Sequence, residues 1–381
     1  MRHGREVVIV EAVRTAVGRG HPEKGVFRAL HPDDLLGAVL VEVIARAGIP
    51  PAAVQDVIGG CVQQVAEQAY NVTRNAWLAA GLPVQTPAMT VDRQCGSGQQ
   101  AVNLAAALIG VGAHDVAIGA GVEHMGHVPL ALGFKLAAEH GSPWPPALLE
   151  RFALVAQGES AERIAERWGV TREQCDAIAL RSQQRAARAA AQGRFDREIV
   201  AVADVSADQG IRPETTLEGL APAFRPDGVH TAGNSSQVSD GAAAVLLMAR
   251  ERADELGVVP RARIVDQLTV GVDPVLMLTG PIPATREILE RNGLRIDDLD
   301  LIEVNEAFAS VIGAWERELQ PDPERVNVNG GAIAIGHPLG STGARLLTTL
   351  LHELERTGGR LGLVTMCCGG GLGTATLIER I

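Results

Sequence analysis

At 381 residues, with 46% hydrophobic residues and a mean hydropathy of +0.11, the chain can bury a large core and is long enough for two or three domains. A net charge of −11 and a pI near 5.4 exclude a general nucleic-acid surface, which needs a basic footprint. Five cysteines, none at CxxC spacing, exclude a disulfide scaffold and a zinc knuckle, and no uncharged apolar run is long enough to span a membrane.

In chain order, MRHGREVVIVEAVRT places charges on both sides of a short apolar strand, unlike a signal peptide, and the expected compartment is the cytoplasm. A helix follows over DDLLGAVLVEVIARAG, with Asp33 or Asp34 expected near its cap. DVIGGCV reads as a strand, NVTRNAWLAAG as a helix and TPAMTVD as a short strand leading to Cys95. A helix over GQQAVNLAAALIGVG and a strand DVAIGAG complete an alternating α/β layer. Between about residues 120 and 238 the periodicity weakens. A Pro-rich segment and the helical pair ESAERIAERWG and TREQCDAIALRSQQRAARAAAQG predict an inserted loop domain. Alternation resumes at DGAAAVLLMARERADELG and continues through ATREILERNG, DLDLIEVNEAFA, GARLLTTLLHELERTGG and RLGLVTMCCGGGLGTATLIERI. In both halves a Gly/Ser turn, CGSGQQA or LGSTGAR, opens a long helix, which hints at two similar halves facing each other.

Cys95 stands where a helix begins, and the N-terminal N–H groups are expected to lower its thiol pKa from about 8.5 towards neutrality. A small buried residue at a tight turn fits the same position. His337, between Gly336 and Pro338, could take a thiol proton or donate to an oxyanion, or be a satisfied structural histidine. Its run NGG…GHP…GSTG resembles a phosphate cradle but lacks the P-loop lysine. Only Lys24 and Lys135 are lysines, neither in a motif, so Schiff-base chemistry has almost no candidates. In TMCCGGGLG, alternation allows only one of Cys367 and Cys368 to face a given cleft, and the glycines offer N–H groups; a tight hairpin is the plain alternative. Asn305 and Glu306 end the strand LDLIEV, where polar residues line a site or cap a helix. GVHTAGNSSQVSDGAAAV could bind an extended polar ligand, or be a loop with Asp240 capping a helix.

Taken together, RQCGSGQQA, TAGNSSQVSDGAAAVLL, NEAFA, NVNGGAIAIGHPLGSTGAR and CCGGGLG, in this order, resemble a thiolase over essentially the whole chain. The resemblance implies an α/β fold of two similar βαβαβαββ halves in an α/β/α/β/α five-layer sandwich with an inserted loop domain. On this chain that gives 1–118 plus 239–259 as the N-terminal half, 119–238 as the CoA-binding lid and 260–381 as the C-terminal half. It further implies a 3-ketoacyl-CoA thiolase in fatty-acid or steroid side-chain β-oxidation, with coenzyme A as co-substrate and no permanently bound cofactor or metal. Partners would be acyl-CoA and CoA, with no nucleic acid or membrane, and the assembly a homodimer or homotetramer. The nucleophile would be Cys95, its activating base His337 and the second acid/base Cys367. Asn305 would fix a water that, with His337, holds the thioester oxygen of the CoA-bound unit. The N–H groups of Cys95 and Gly369 would hold the oxygen on the carbon bonded to Cys95. Ser236 would lie near pantetheine and Arg212 near the nucleotide.

Two departures stand out. Cys368 replaces a usually aliphatic residue, and the family's more usual His-Met-Gly triplet is Ala156, Gln157 and Gly158. An acetyl-CoA C-acetyltransferase making acetoacetyl-CoA is the nearest alternative. A 3-ketoacyl synthase would pair its cysteine with two histidines, or a histidine and an asparagine, and a non-catalytic acyl-CoA carrier would be expected to lack Cys95 or His337.

Overall fold

The computed structural model describes residues 4–130, 132–217 and 224–381. The first part of the chain runs β1 (Val7–Thr15), β2 (Gly18–Arg19), α1 (Pro32–Ala47), β3 (Asp56–Gly60), α2 (Val72–Ala79), β4 (Ala88–Val91), α3 (Ser97–Gly110) and β5 (Val116–His124). The inserted segment holds α4 (Leu132–Lys135), α5 (Ala137–His140), α6 (Pro146–Arg151), α7 (Gln157–Trp168), α8 (Arg172–Ala191) and β6 (Ile199–Val200). Then come β7 (Ser239–Ala249), α9 (Arg250–Leu256), β8 (Ala262–Gly271), α10 (Pro281–Asn292), β9 (Leu301–Val304), α11 (Ala309–Leu319), α12 (Leu339–Thr357), β10 (Leu361–Cys368) and β11 (Leu372–Arg380).

The strand order β4-β3-β5-β7-β1-β8-β11-β10-β9 contains the same pattern twice. In the first half β4, β3 and β5 are parallel, and β5, β7 and β1 are successively antiparallel. In the second, β9 and β10 are parallel, and β10, β11 and β8 are antiparallel. The counterpart of β4 shrinks to one parallel bridge, Ile302 to Val326, because the glycines of NGG follow at once. The two sheets are not separate. They join where Val8 pairs with Arg263 and Ile9 with Ala262.

Three apolar cores separate five layers. Leu36, Leu40 and Val43 of α1 and Trp77 of α2 cover one face of the first sheet, against Val8, Val10 and Leu246. Ala101, Val102 and Ala105 of α3 and Leu347 and Leu351 of α12 fill the space between the sheets with Ile9 and Met366. Ile288 of α10 and Trp315 of α11 cover the second sheet, together with Ala161, Ile164 and Ile178 of α7 and α8. α7 and the first part of α8 therefore dock on the opposite half from the one they interrupt, while Ala186 and Ala189 of α8, Phe195 and β6 return to the first half, where β6 pairs with β1. Each leucine buried on α12 contributes about 1.5–3 kcal/mol, which is why this helix is buried along nearly its whole length.

Three local expectations change. The cap of α1 is His31, whose ring accepts from the N–H of Asp33 while the Asp34 carboxylate accepts from the N–H of His31, a reciprocal box. Asp240 caps no helix, since SDGAAAVLLMA forms strand β7. β5 continues to His124, past the expected strand end at Gly121.

The central layer depends on close backbone approach. A Cβ on Gly98 would stand 2.7 Å from the carbonyl oxygen of Gly340, and one on Gly343 would strike the backbone of Gln99. A Cβ on Gly340 itself would be driven into the carbonyl of Val122 and to 2.6 Å from that of Gly60. Gly340→Ala is therefore expected to destabilise the fold by about 3 kcal/mol or more, as overpacking against backbone that cannot yield. Gly271→Ala, with nothing within 4 Å, should stay within about 0.5 kcal/mol of the parent. Chemical denaturation of the two variants side by side checks this.

Candidate active site

Cys95 follows a strained turn. Gln94 has φ +51°, a region non-glycine residues enter at a cost. The turn is over-determined: the Gln94 N–H donates to Asp92 at 2.6 Å, the Arg93 N–H to Ser97 Oγ at 2.8 Å, and Ser97 Oγ–H to the Gln94 carbonyl at 2.6 Å. Cys95 thus sits just ahead of α3, whose first turn meets the first turn of α12 through the glycines described above. His337 sits just ahead of α12. The crossing of the two helices brings two residues 242 positions apart (337 − 95) to one region.

His337 is buried and its surroundings define its tautomer. Nδ1 is 2.7 Å from Thr342 Oγ1, which gives its own proton to the Pro338 carbonyl at 2.8 Å. The hydroxyl therefore accepts from Nδ1–H, and Nε2 carries the free lone pair. The Asn305 amide Nδ2 donates to that Nε2 at 3.3 Å, while Asn305 Oδ1 is buried with no hydrogen-bond partner. Burial, helped by the Arg345 charge, pushes His337 down to about 3, so the ring is a neutral acceptor.

The N–H groups of Gly369 and of Cys95 itself and the side-chain amide of Gln157 act to lower the Cys95 thiol. Burial nevertheless outweighs them and pushes the thiol up to about 11. The expectation of a thiol lowered towards neutrality by the helix N-terminus is thus overturned: Cys95 is only 4% exposed, and desolvation penalises its anion more than the N–H groups favour it. Cys367 and Cys368 end β10, paired with Gly373 and Leu372 of β11. Cys368 turns towards α3, where a Cβ on Gly96 would stand 2.6 Å from its sulfur. Cys367 packs on the other face with Leu363 and Leu377. Burial raises both thiols, and a thiolate on Cys95 raises them further, which puts all three sulfurs in one neighbourhood.

Two other candidates border the His337 loop. Ser236 is half-buried, its N–H bound to the Ala307 carbonyl at 2.9 Å, and the next residue, Gln237, accepts the His337 N–H at 3.2 Å. Arg212 is exposed, two residues after Gly210, which packs on the carbonyls of Ala334 and Ile335.

Sequence reasoning gave no role to Glu123 or Thr342, and it named Glu306 and Gln157 without the contacts that build this region. The buried Glu123 carboxylate accepts from the N–H groups of Val62 (3.0 Å), Gln63 (3.0 Å) and Gly340 (2.9 Å), capping α12 from the other half. Glu306 binds Ser182 Oγ at 2.6 Å, Asn327 Nδ2 at 3.1 Å and the Ile333 N–H at 3.2 Å, fixing the glycine loop before His337. Thr342 sets the tautomer, and Gln157 lies beside Gly369. Glu123 and Glu306 carried a signal, an acid embedded in an apolar strand or at its end; Thr342 and Gln157 carried none beyond their motifs.

Residues 7–251 match the thiolase N-terminal domain family and residues 258–380 the thiolase C-terminal domain family. This chain belongs to the thiolase family. The thiolase is 46% identical to steroid 3-ketoacyl-CoA thiolase FadA6 of Mycobacterium tuberculosis over 389 residues, covering 99% of this chain and 94% of the relative. It is 45% identical to a 3-ketoacyl-CoA thiolase of Aliivibrio salmonicida, over 99% of this chain and 100% of the relative. Its fold is also similar to the crystal structure of a Bacillus anthracis acetyl-CoA acetyltransferase, with a TM-score of 0.91, 40% identity and full coverage of both chains. Among the described residues no cluster of metal-ligating side chains occurs, and no helix of this thiolase is long and apolar enough to cross a membrane.

Thr342→Val removes the acceptor for His337 Nδ1–H at nearly constant volume. It should leave a buried donor unsatisfied at about 1–3 kcal/mol and lower kcat by roughly tenfold through loss of the productive tautomer. Steady-state kinetics with a denaturation curve separates the two effects.

Proposed function

We propose that this thiolase cleaves 3-ketoacyl-CoA to acetyl-CoA and a shortened acyl-CoA, through an acyl group carried on Cys95. The single observation that carries the reading is that the turn holding Cys95 meets the end of β10: a Cβ on Gly96 would stand 2.6 Å from Cys368 Sγ, and one on Gly369 3.1 Å from Gln94 Oε1, Gln94 and Gly96 being the residues on either side of Cys95. The backbone N–H groups of Cys95 and Gly369 at that junction suit the oxyanion that forms on the carbon bonded to the Cys95 sulfur.

The resting site holds a neutral thiol, at about 11, and a neutral imidazole, at about 3. A standing thiolate–imidazolium pair is therefore disfavoured, and proton transfer from Cys95 to His337 Nε2 is coupled to attack on C3 of the substrate. The C2–C3 bond then breaks, leaving an acyl thioester on Cys95, and the acetyl-CoA enolate takes a proton at C2 from Cys367. Free CoA gives its thiol proton to Cys367, attacks the acyl group and leaves as the shortened acyl-CoA. Cys95 recovers its proton from His337. Asn305, with its amide on His337 Nε2 and a free Oδ1, is suited to hold a water beside the CoA thioester oxygen. Ser236 and Arg212, bordering the same loop, are assigned to the pantetheine and nucleotide ends of CoA.

The acyl group is assigned to fatty-acid or steroid side-chain β-oxidation; similarity to FadA6 supports the steroid class. Coenzyme A enters as co-substrate, without a resident cofactor. The insertion is read as the lid from residue 125 to 238, since β5 runs to His124. The two halves are 1–124 with 239–259, and 260–381, supported by their shared strand order. A homodimer or homotetramer in the cytoplasm completes the reading: β4 ends the sheet with Met89 41% exposed, and all five cysteines are free.

Cys95→Ala should lower thiolysis by ~10³-fold or more, as expected for loss of a covalent nucleophile. Cys367→Ser should still form the acyl-enzyme but turn over slowly. Quenching wild type with short, medium, long and steroid-side-chain 3-ketoacyl-CoAs, then mapping the added mass, should place it on the peptide holding Cys95. A label found only elsewhere would remove this mechanism.

A further inference from the structure

A polar stripe runs along α12 behind His337. Thr342, whose Oγ1 meets His337 Nδ1, is followed by Arg345 and Thr349 at steps of three and four residues, so the three share one helix face. Thr349 Oγ1 donates to Glu198 Oε1 at 3.1 Å, which sets the far end of the stripe against the residue before β6. Arg345 lies between these two contacts and is 1% exposed. Among the described residues its Nε, Nη1 and Nη2 have no hydrogen-bond partner. Strand β9 faces the same layer. Ile302 and Val304 pack outwards with Ile288 and Trp315, whereas Leu301 packs between the sheets with Leu346, Leu347 and Leu350 of α12. Alternation therefore turns Glu303 towards α12, where it is 2% exposed and its Oε2 is likewise without a partner among the described residues. The other acids acting on this pair are committed elsewhere. Glu198 and Asp208 hold Arg14 at 2.6 and 2.7 Å, Glu353 binds Asn329 and Arg356, and Glu306 fixes the glycine loop. Burial pushes the Glu303 carboxyl up to about 8 and the Arg345 guanidinium down, and each charge offsets part of the other's shift.

We propose that Arg345 and Glu303 together bind ordered water between α12 and β9, and that this hydrated pair is a clamp that positions His337 against Asn305. A guanidinium buried without an acceptor is too costly to be dry, and one enclosed water satisfies about three polar groups of this kind. The two elements joined by the clamp carry the two residues it positions. Asn305 stands two residues beyond Glu303, and its N–H continues the ladder to the Thr365 carbonyl at 3.1 Å, so it lies on the same face of the strand. Thr342 stands three residues before Arg345 on the facing helix. A spacer of water at this level sets the helix-to-strand separation one step behind the 3.3 Å contact of Asn305 Nδ2 with His337 Nε2. Arg345 and Glu303 are positioning residues, acting through Thr342 and Asn305. The clamp's effect on rate rests on His337 and Asn305 serving the proposed reaction; the water site does not.

The test has a structural and a kinetic arm. A high-resolution crystal structure of the full chain should show ordered water bridging the Arg345 guanidinium and Glu303 Oε2. A direct ion pair with no water between the two groups would overturn the site. For the kinetic arm, Arg345→Met combined with Glu303→Leu removes both charges at once, a replacement that buried pairs commonly tolerate without loss of stability. With a thermal midpoint near that of wild type, kcat should fall about tenfold while KM stays put, the scale of a small misplacement of a catalytic group. Glu303→Gln alone, which keeps the shape and a hydrogen-bonding end, should recover most of that rate. A wild-type kcat in the folded double variant would overturn the clamp, and so would an equal loss in Glu303→Gln, which would mean that charge rather than bound water sets the position. If the double variant does not fold, Glu303→Leu alone is read in the same way. Acyl trapping in wild type keeps the two levels apart. Acyl mass on Cys95 with an unmoved kcat in the variant rejects the clamp only, whereas acyl mass elsewhere rejects the proposed function and leaves the crystal structure to decide the water site.

Discussion

The site depends on one steric constraint, the meeting of two helix N-termini at backbone-to-backbone distance. Gly98, Gly340 and Gly343 carry no side chains where α3 and α12 cross, and a Cβ at any of them would strike the backbone of the other helix or of the strands around it. Everything chemical is hung from that crossing. Cys95 is the residue before the N-cap of α3, and His337 precedes the N-cap of α12. Glu123 reinforces the junction by accepting the Gly340 N–H from the other half, supplying the cap that Pro338 cannot.

Burial at this junction decides the protonation states. A thiol at a helix N-terminus is commonly expected to ionise readily, yet the water-excluded crossing raises Cys95 to about 11 and lowers His337 to about 3. Both shifts have the same origin, since low polarity penalises either charge. On the proposed reading, Cys95 stays protonated and unreactive until substrate arrives. Each N–H group aimed at the sulfur then counts for more than it would in water, because few alternatives compete for it. A thiolate on Cys95 would in turn hold Cys367 and Cys368 protonated.

Much of this was legible in the sequence, and the physical reasons differ by residue. Cys95, His337, Asn305 and Cys367 stood out as candidates because each lies in a turn or at a strand end dense in glycines and polar residues, although some of those glycines serve the helix crossing instead. The duplicated α/β layout was visible because buried strands and amphipathic helices have different periods. Glu123 was not, because the strand was read as ending at GAG and its acid is matched only by donors from distant segments. Gln157 stood out as a departure from a pattern, but its place beside Gly369 depends on where the insertion docks, which periodicity does not encode. The cap of α1 was misassigned by two or three residues because histidine is an uncommon capping side chain. The single-bridge counterpart of β4 and the join between the sheets are register facts that no local pattern announces.

The central claim is that the crossing holds the Cys95 sulfur where the N–H groups of Cys95 and Gly369 face the carbonyl of whatever is bonded to it. A crystal structure of the enzyme frozen after brief exposure to a 3-ketoacyl-CoA tests this directly. Density for an acyl group should extend from Cys95 Sγ, with its carbonyl oxygen within hydrogen-bond distance of both N–H groups and His337 Nε2 turned to the same cavity. An acyl group on another residue, or a carbonyl oxygen directed away from both donors, would contradict the account.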